Sequence, residues 1–273
     1  MLSLTLPNGL RVKDAAIVPN ALQTWSSGQM DPNGIFERLS KTARQPVTKD
    51  IKISKSGLEP ILVPGAHPAL HYRGNALKRH KIWAQTRYER GLLKYGYTGW
   101  QHAVSAATRD VAAYPDLNEM LHWLNDHFES WLSDIGLPPQ NKKFNHVIFT
   151  RYEDHNDFIG MHADKEKNFA PDTYFVVFKL GCPRDFAFSY KDEVFWQQPL
   201  PTGTAIIVKT GTANRILKHG VPPSEEPVGP SGSIVFRCIR TVIPWPVVEK
   251  NIERAKRQRK MRKALKARSR KRR

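Results

Sequence analysis

Hydrophobic positions in residues 116–132, "DLNEMLHWLNDHFESWL", recur at spacings of three, four and seven. They are Leu117, Met120, Leu121, Leu124, Phe128 and Trp131. That period puts them on one face of a helix. Asp116 stands where a cap would. Glu119, three residues on, fits a capping box, and Gly136, Pro138 and Pro139 end the element. His122 and His127 fall inside it and read as packed or surface histidines. From Lys143 the period changes. "FNHVIFTRY", "TYFVVFKLG", "DFAFSY", "GTAIIVKTG" and "GSIVFRCIRTVI" are short and rich in Val, Ile, Phe, Tyr and Thr, with Gly, Pro and Asp between them. Many short strands with turn signals predict a sandwich or barrel.

The front of the chain is mixed. "DAAIVPNALQTW" (Asp14–Trp25) predicts a short strand and a turn at Pro19-Asn20. "GIFERLSKTA" (Gly34–Ala43) predicts a short helix, followed by a loop through Pro46. Residues 57–113 are rich in aromatic and basic side chains. Gly96, Thr98 and Gly99 among Tyr95, Tyr97 and Trp100 suggest a hairpin or shaped loop. The resulting organisation is an N-terminal region over 1–56 that is part of the fold, a main domain over 57–248, and a basic tail over 249–273, disordered or helical.

Composition narrows the class. With 273 residues, 40% of them hydrophobic, the chain can bury a sizeable core. Cys182 and Cys238 are the only cysteines, too few and too far apart for a disulfide framework, which favours a reducing compartment. The start, "MLSLTLPNGLRV", lacks the basic and apolar regions of a secretory signal. No run approaches the ~18 apolar residues a membrane span needs. An intracellular protein, nuclear or cytoplasmic and monomeric, is the expectation. The net charge of +18 is unevenly placed: residues 250–273 hold 14 basic residues and one acid, which is +13 of the total. Such a tail suits nucleic acid or nuclear targeting. A solvated tail is the plain alternative. A membrane surface fits less well, since no aromatic residue anchors the segment.

The chemistry centres on "GMHADKEKN". His162 and Asp164 follow the strand "FNHVIFTRY", and His219 in "ILKHGVP" lies 55 residues after Asp164. Two imidazoles and one carboxylate on a β scaffold suit non-haem Fe(II), occupying one face of the ion and leaving three positions open. On a strand, residues two apart point to the same side. A surface turn with a separate loop histidine would give the same letters, and spacing alone leaves both readings open.

The surrounding pattern is more specific. "FNHVIFTRYEDHNDFIGMHADKEKN" resembles the AlkB family of Fe(II)- and 2-oxoglutarate-dependent dioxygenases, above all the members that repair alkylated duplex DNA. The likeness continues through "VVFKLGCPRDFAFSY", similar to the family's apolar strand, "SLG" and Arg-Asp-Phe. It then runs through "GTAIIVKTGTANRILKHGVPP" and "GSIVFRCIR". It spans roughly residues 10–245, and upstream "YGYTGW" is similar to the family's substrate loop. The resemblance implies an α+β, mainly β fold: a double-stranded β-helix (jelly-roll) core with an N-terminal helical, nucleotide-recognition extension. It implies Fe(II) on His162, Asp164 and His219, with 2-oxoglutarate and O2 taking the open positions. Oxidation of an N-alkyl group would release an aldehyde and the repaired base. Nucleic acid, DNA or RNA, would meet the active-site face and the basic tail.

Carried over position by position, Tyr152 and Arg237 would bind 2-oxoglutarate. Tyr97 would stack on the base with His162 as the opposite wall. Glu166, Trp100 and Arg73 would face substrate, and Arg73, Lys78, Arg79 and Lys81 would lie near backbone phosphate. Two positions depart. The family's first arginine falls on Ser231, and the asparagine before Arg-Tyr falls on Thr150. Arg240, Arg215 or Lys218 could replace the missing cation, the loop could align differently, or 2-oxoglutarate could bind weakly. Otherwise the chain is a catalytically weak or inactive oxygenase fold acting as a basic nucleic-acid-binding protein.

Overall fold

The computed structural model describes residues 4–44, 71–72, 75–76, 79–86, 91–93 and 109–247, together with residues 250, 253, 254, 257, 261, 264 and 265. The strands are β1 (Ala15–Val18), β2 (His71–Tyr72), β3 (Asn75–Ala76), β4 (His80–Gln85), β5 (Gly91–Leu93), β6 (Arg109–Asp110), β7 (His146–Tyr152) and β8 (Ile159–His162). They continue with β9 (Tyr174–Gly181), β10 (Arg184–Tyr190), β11 (Glu193–Leu200), β12 (Ala205–Lys209), β13 (Leu217–Val221), β14 (Ser231–Arg237) and β15 (Val242–Pro244).

Alternation along these strands builds two layers. The large sheet runs β1-β12-β9-β14-β7-β4-β6 and the small one β11-β10-β13-β8. Ile148, Phe175, Val177 and Ile206 of the large sheet share a buried cluster with Phe186, Phe188, Leu217 and Val221 of the small one. The two sheets therefore pack face to face, and the fold is the expected jelly roll. The opposite face of the large sheet carries Val147, Phe149, Val176, Phe178, Ile234 and Phe236, buried against the helices. Strands β1, β4 and β6 also belong to the large sheet, so the front of the chain supplies barrel as well as helix.

The helix Pro115–Asp134 buries Leu117, Met120, Leu121, Leu124, Phe128, Trp131 and Leu132. Each such side chain contributes roughly 1.5–3 kcal/mol by leaving water. The expected capping box does not form. Pro115 occupies the first turn, which its fixed φ suits, and Tyr114 is the N-cap with no side-chain cap bond. Asp116 instead accepts from Arg38, at 3.0 Å from Nε and 2.6 Å from Nη2. That ion pair ties this helix to the helix Pro32–Arg44. Asp31 caps the latter, accepting from the amides of Asn33 and Gly34 at 3.0 Å.

The turn at Pro19-Asn20 is present, but residues Ala21–Trp25 after it are helical. The segment "YGYTGW" lies outside the described residues. The described residues of the basic tail are helical and exposed. Among the described residues, no helix is long and apolar enough to cross a membrane.

Candidate metal centre

Strand β8 ends at His162 and pairs with β13 so that His162 faces His219, their ring centroids 4.6 Å apart. A register shift separates that pair from Val221–Ile159. Gly220 permits the close approach there: a Cβ on it would meet the Ile159 carbonyl oxygen at 2.7 Å. On the other side of β13, His219 pairs with Phe188, and the Phe186 ring stacks on it at 5.9 Å.

Asp164 lies just beyond β8, so strand alternation alone does not aim it. Two other side chains do. Asn214 accepts from the Asp164 amide at 3.0 Å and donates to the Asp164 carbonyl at 2.9 Å. Arg237, from β14, donates to Asp164 Oδ2 at 2.8 Å from Nε and 2.7 Å from Nη2. Asp164 Oδ1 is left 3.9 Å from His162 Nε2.

One donor atom each from His162, Asp164 and His219 lies within 4.8 Å of the others. Their protonation suits a cation. Burial works to raise the Asp164 carboxyl, but Arg237, His219 and His162 outweigh it and hold it well below the usual range. Burial, then neighbouring His162, pushes His219 down to about 3. Burial also lowers His162, against the pull of Asp164. The result is two neutral imidazoles and one carboxylate. His162 Nδ1 lies 2.8 Å from the Gly160 carbonyl, which fixes its proton there and leaves Nε2 as the lone-pair donor. His162 is partly exposed whereas Asp164 and His219 are buried, so the centre opens on the His162 side. Two nitrogens and one oxygen, with His162 held by the Gly160 carbonyl, Asp164 by Arg237 and the His219 ring packed against Phe186, fit Fe(II).

The other residues expected at a site divide. Tyr152 and Thr150 lie on β7 and are buried; Tyr152 shares the inner cluster. Arg237 reaches the centre, but its guanidinium holds Asp164. Arg240 is exposed, away from the interior, and only its backbone amide is fixed, to Asn168. Arg215 pairs with Glu166 and Lys218 with Asp192, both at the surface, so none of the three offered cations points into the barrel. Glu166 is engaged differently from the expectation. Its Oε1 accepts from Gly211 at 2.7 Å and Asn214 at 2.8 Å, and its Oε2 from Arg215 at 3.1 Å. Burial would raise this carboxyl, but those three partners hold it below its ordinary value. It thus braces the short helix Ala213–Ile216, which carries Asn214. Lys81 is buried in the interior, out of reach of a phosphate backbone, and Arg79 turns inward to hydrogen-bond the Tyr152 hydroxyl, its Nη1 buried without a partner among the described residues. Tyr97, Trp100, Arg73 and Lys78 lie outside the described residues.

Sequence reasoning missed two buried residues. Asn214 gave no signal, being a polar residue in a polar stretch. Lys179 did give one: it is the single cation in the apolar strand "TYFVVFKLG".

Comparison with known proteins adds to this geometry. No family model matches the chain. Human DNA oxidative demethylase ALKBH2 is 30% identical over 180 residues, which are 62% of this chain and 64% of that protein. Mouse DNA oxidative demethylase ALKBH2 is 30% identical over 107 residues, 35% of this chain and 44% of that protein. The chain therefore matches less than two thirds of these relatives' length. The solved structure of OsALKBH1 aligns with a TM-score of 0.52 at 13% identity, over 83% of this chain and 98% of that one. Fold and donor set define a jelly-roll protein with a two-histidine, one-carboxylate cluster that could hold a metal ion. In sequence the chain is similar to these DNA oxidative demethylases, and it shares its fold with OsALKBH1.

Proposed function

We propose that this protein is a dioxygenase that uses Fe(II), 2-oxoglutarate and O2 to dealkylate alkylated bases in DNA or RNA. The observation that carries the reading is the convergence of His162, Asp164 and His219, each in the protonation state a divalent cation requires. The ALKBH2 relatives, named as DNA oxidative demethylases, support nucleic acid as the substrate class.

Iron and its co-substrate supply the oxidising chemistry when bound. The protein's residues do the rest. Arg237 and Asn214 fix both ends of Asp164, and Gly160 orients His162. Phe175, Phe186 and Phe188 line the space behind His219 and exclude water. The opening beside His162 is where a base taken out of its stack would enter, with Tyr97, Trp100 and Arg73 as its expected contacts. Residues 57–248 form the catalytic unit, 1–56 a region that belongs to it, and 249–273 a basic arm for nucleic acid or nuclear targeting. The active unit is a monomer. The reading of an inactive binder rests on Ser231 and Thr150, and the intact donor set counts against it.

The test is anaerobic loading with Fe(II), then O2, with methylated oligonucleotides as DNA and RNA, single- and double-stranded. Succinate and formaldehyde should form with at least one of them. Absence of succinate with every oligonucleotide, despite bound iron, overturns the proposal.

A further inference from the structure

Register sets the rows across the inner face of the large sheet. Lys81 pairs with Thr150, Thr150 with Ser233, and Ser233 with Lys179, one row through β4, β7, β14 and β9. In the next row Tyr152 faces Ser231, and Ser231 faces Gly181. Lys179 has the parity of Phe175 and Val177, which lie in the inter-sheet cluster, so its side chain enters the barrel. It is 1% exposed. Its Nζ lies 3.3 Å from Ser233 Oγ, 5.7 Å from the Tyr152 ring centre and 5.9 Å from that of Phe186. The same Phe186 ring stacks on His219, so one aromatic ring separates this ammonium from a metal ligand.

Among the described residues, no carboxylate forms an ion pair with Lys179 at 4.0 Å or less. A buried charge without a counter-ion is costly, and a ligand carboxylate would supply the opposite charge. Beside it, the fully buried Ser231 hydroxyl has no hydrogen-bond partner among the described residues. Arg184 also lies over the Tyr152 ring; its Nη1 and Nη2 groups are taken by the carbonyls of Asp154, His155, Asp157 and Pro222, and only its Nε is without a partner among the described residues.

The sequence supplies the rest. The "SLG" pattern puts serine where this chain has Lys179, and the family's first arginine falls on Ser231. Serine and cation have exchanged places between adjacent strands. Diagonal neighbours across a strand pair are within reach of a long side chain.

We infer that Lys179 holds the distal carboxylate of 2-oxoglutarate in place of the missing arginine, with the hydroxyls of Tyr152, Ser231 and Ser233 completing the seat. This rests on the oxygenase reading above. Burial, then Arg184, lowers Lys179 to about 7, so an incoming carboxylate would also restore its charge.

The test measures binding without turnover. 2-Oxoglutarate and 2-oxobutyrate, which lacks the distal carboxylate, are titrated calorimetrically into Mn(II)-loaded protein without O2. Wild type should prefer 2-oxoglutarate, and Lys179→Met should weaken it roughly 30-fold or more while leaving 2-oxobutyrate unchanged. Lys179→Arg should retain most of the preference. The exchange Lys179→Ser with Ser231→Arg should recover it and keeps the question open to test should the Met variant not fold. Unchanged 2-oxoglutarate affinity in Lys179→Met, or loss only in Arg79→Met, overturns the assignment of Lys179 but leaves the oxygenase reading standing. Failure of wild type to bind 2-oxoglutarate overturns both.

Discussion

Arg237 places two N–H groups on a single oxygen of Asp164, Oδ2, at 2.8 and 2.7 Å, and both side chains are buried. Oδ1 lies 3.9 Å from His162 Nε2, on the side where the two imidazoles converge. Because the pair is buried, removing one partner strands the other. Arg237→Met should destabilise the metal-free protein by about 3–5 kcal/mol. It should also weaken metal binding roughly 10- to 100-fold, as loss of an outer-shell partner does. Arg237→Lys keeps the charge without the fork and should fall between. Denaturant unfolding and a competitive chelator titration measure the two effects. Full metal affinity in Arg237→Met would show that the fork does not orient Asp164.

The backbone of Asp164 is held as firmly as its side chain. Asn214 pairs with its amide and its carbonyl, and also donates to Glu166 at 2.8 Å. Asn214→Ala leaves those groups buried without partners, at about 1–3 kcal/mol for each group. The variant should unfold at lower denaturant and bind metal more weakly. Glu166→Gln keeps one acceptor oxygen and should be milder in both measurements. If Glu166→Gln were the worse of the two, the brace would run through the Arg215 pair instead.

The main parts of this arrangement were legible in the sequence for a physical reason. Period-two alternation exposes strands with one buried face, and His162, Asp164 and His219 sit at recognisable places relative to them. The rest was hidden because it depends on contacts between segments distant in sequence. The start of the helix Pro115–Asp134 was misjudged since Asp116 is drawn to Arg38, 78 positions away. Glu166 resembled a residue facing substrate until the loop at Gly211 closed on it, 45 positions later. Lys179 was visible as a letter, but only the register of β9 on β14 turns it inward beside Ser233.

Lys179 also makes stability depend on pH. Its folded value, about 7, lies below the ordinary 10.5, owing first to burial and then to Arg184. The unfolded chain therefore binds this proton more strongly. Between these two values, stability of the ligand-free protein should rise with pH from this group. Below about 7 both states carry the proton and the full cost of burying it is present. Lys179→Met removes the term. Denaturant unfolding at several pH values from 7 to 10 should give wild type a steeper rise than the variant. Parallel profiles would mean that Lys179 titrates normally in the fold.

The basic tail should act on affinity rather than chemistry. Residues 250–273 carry 14 basic side chains against one acid. The described ones are exposed, as at Arg254 and Arg257. Charges in water bind phosphate by releasing counter-ions, with log K falling by about 0.9 per duplex phosphate contacted for each tenfold rise in salt. Deleting 250–273 should therefore lower duplex affinity at low salt and flatten the plot of log K against log salt. Turnover of a short methylated oligonucleotide at saturation should change little, because His162, Asp164 and His219 remain in place. His162→Ala should do the reverse, abolishing turnover while keeping salt-sensitive binding. A deletion that leaves the salt slope unchanged would remove the tail from the nucleic-acid interface and leave targeting as its role.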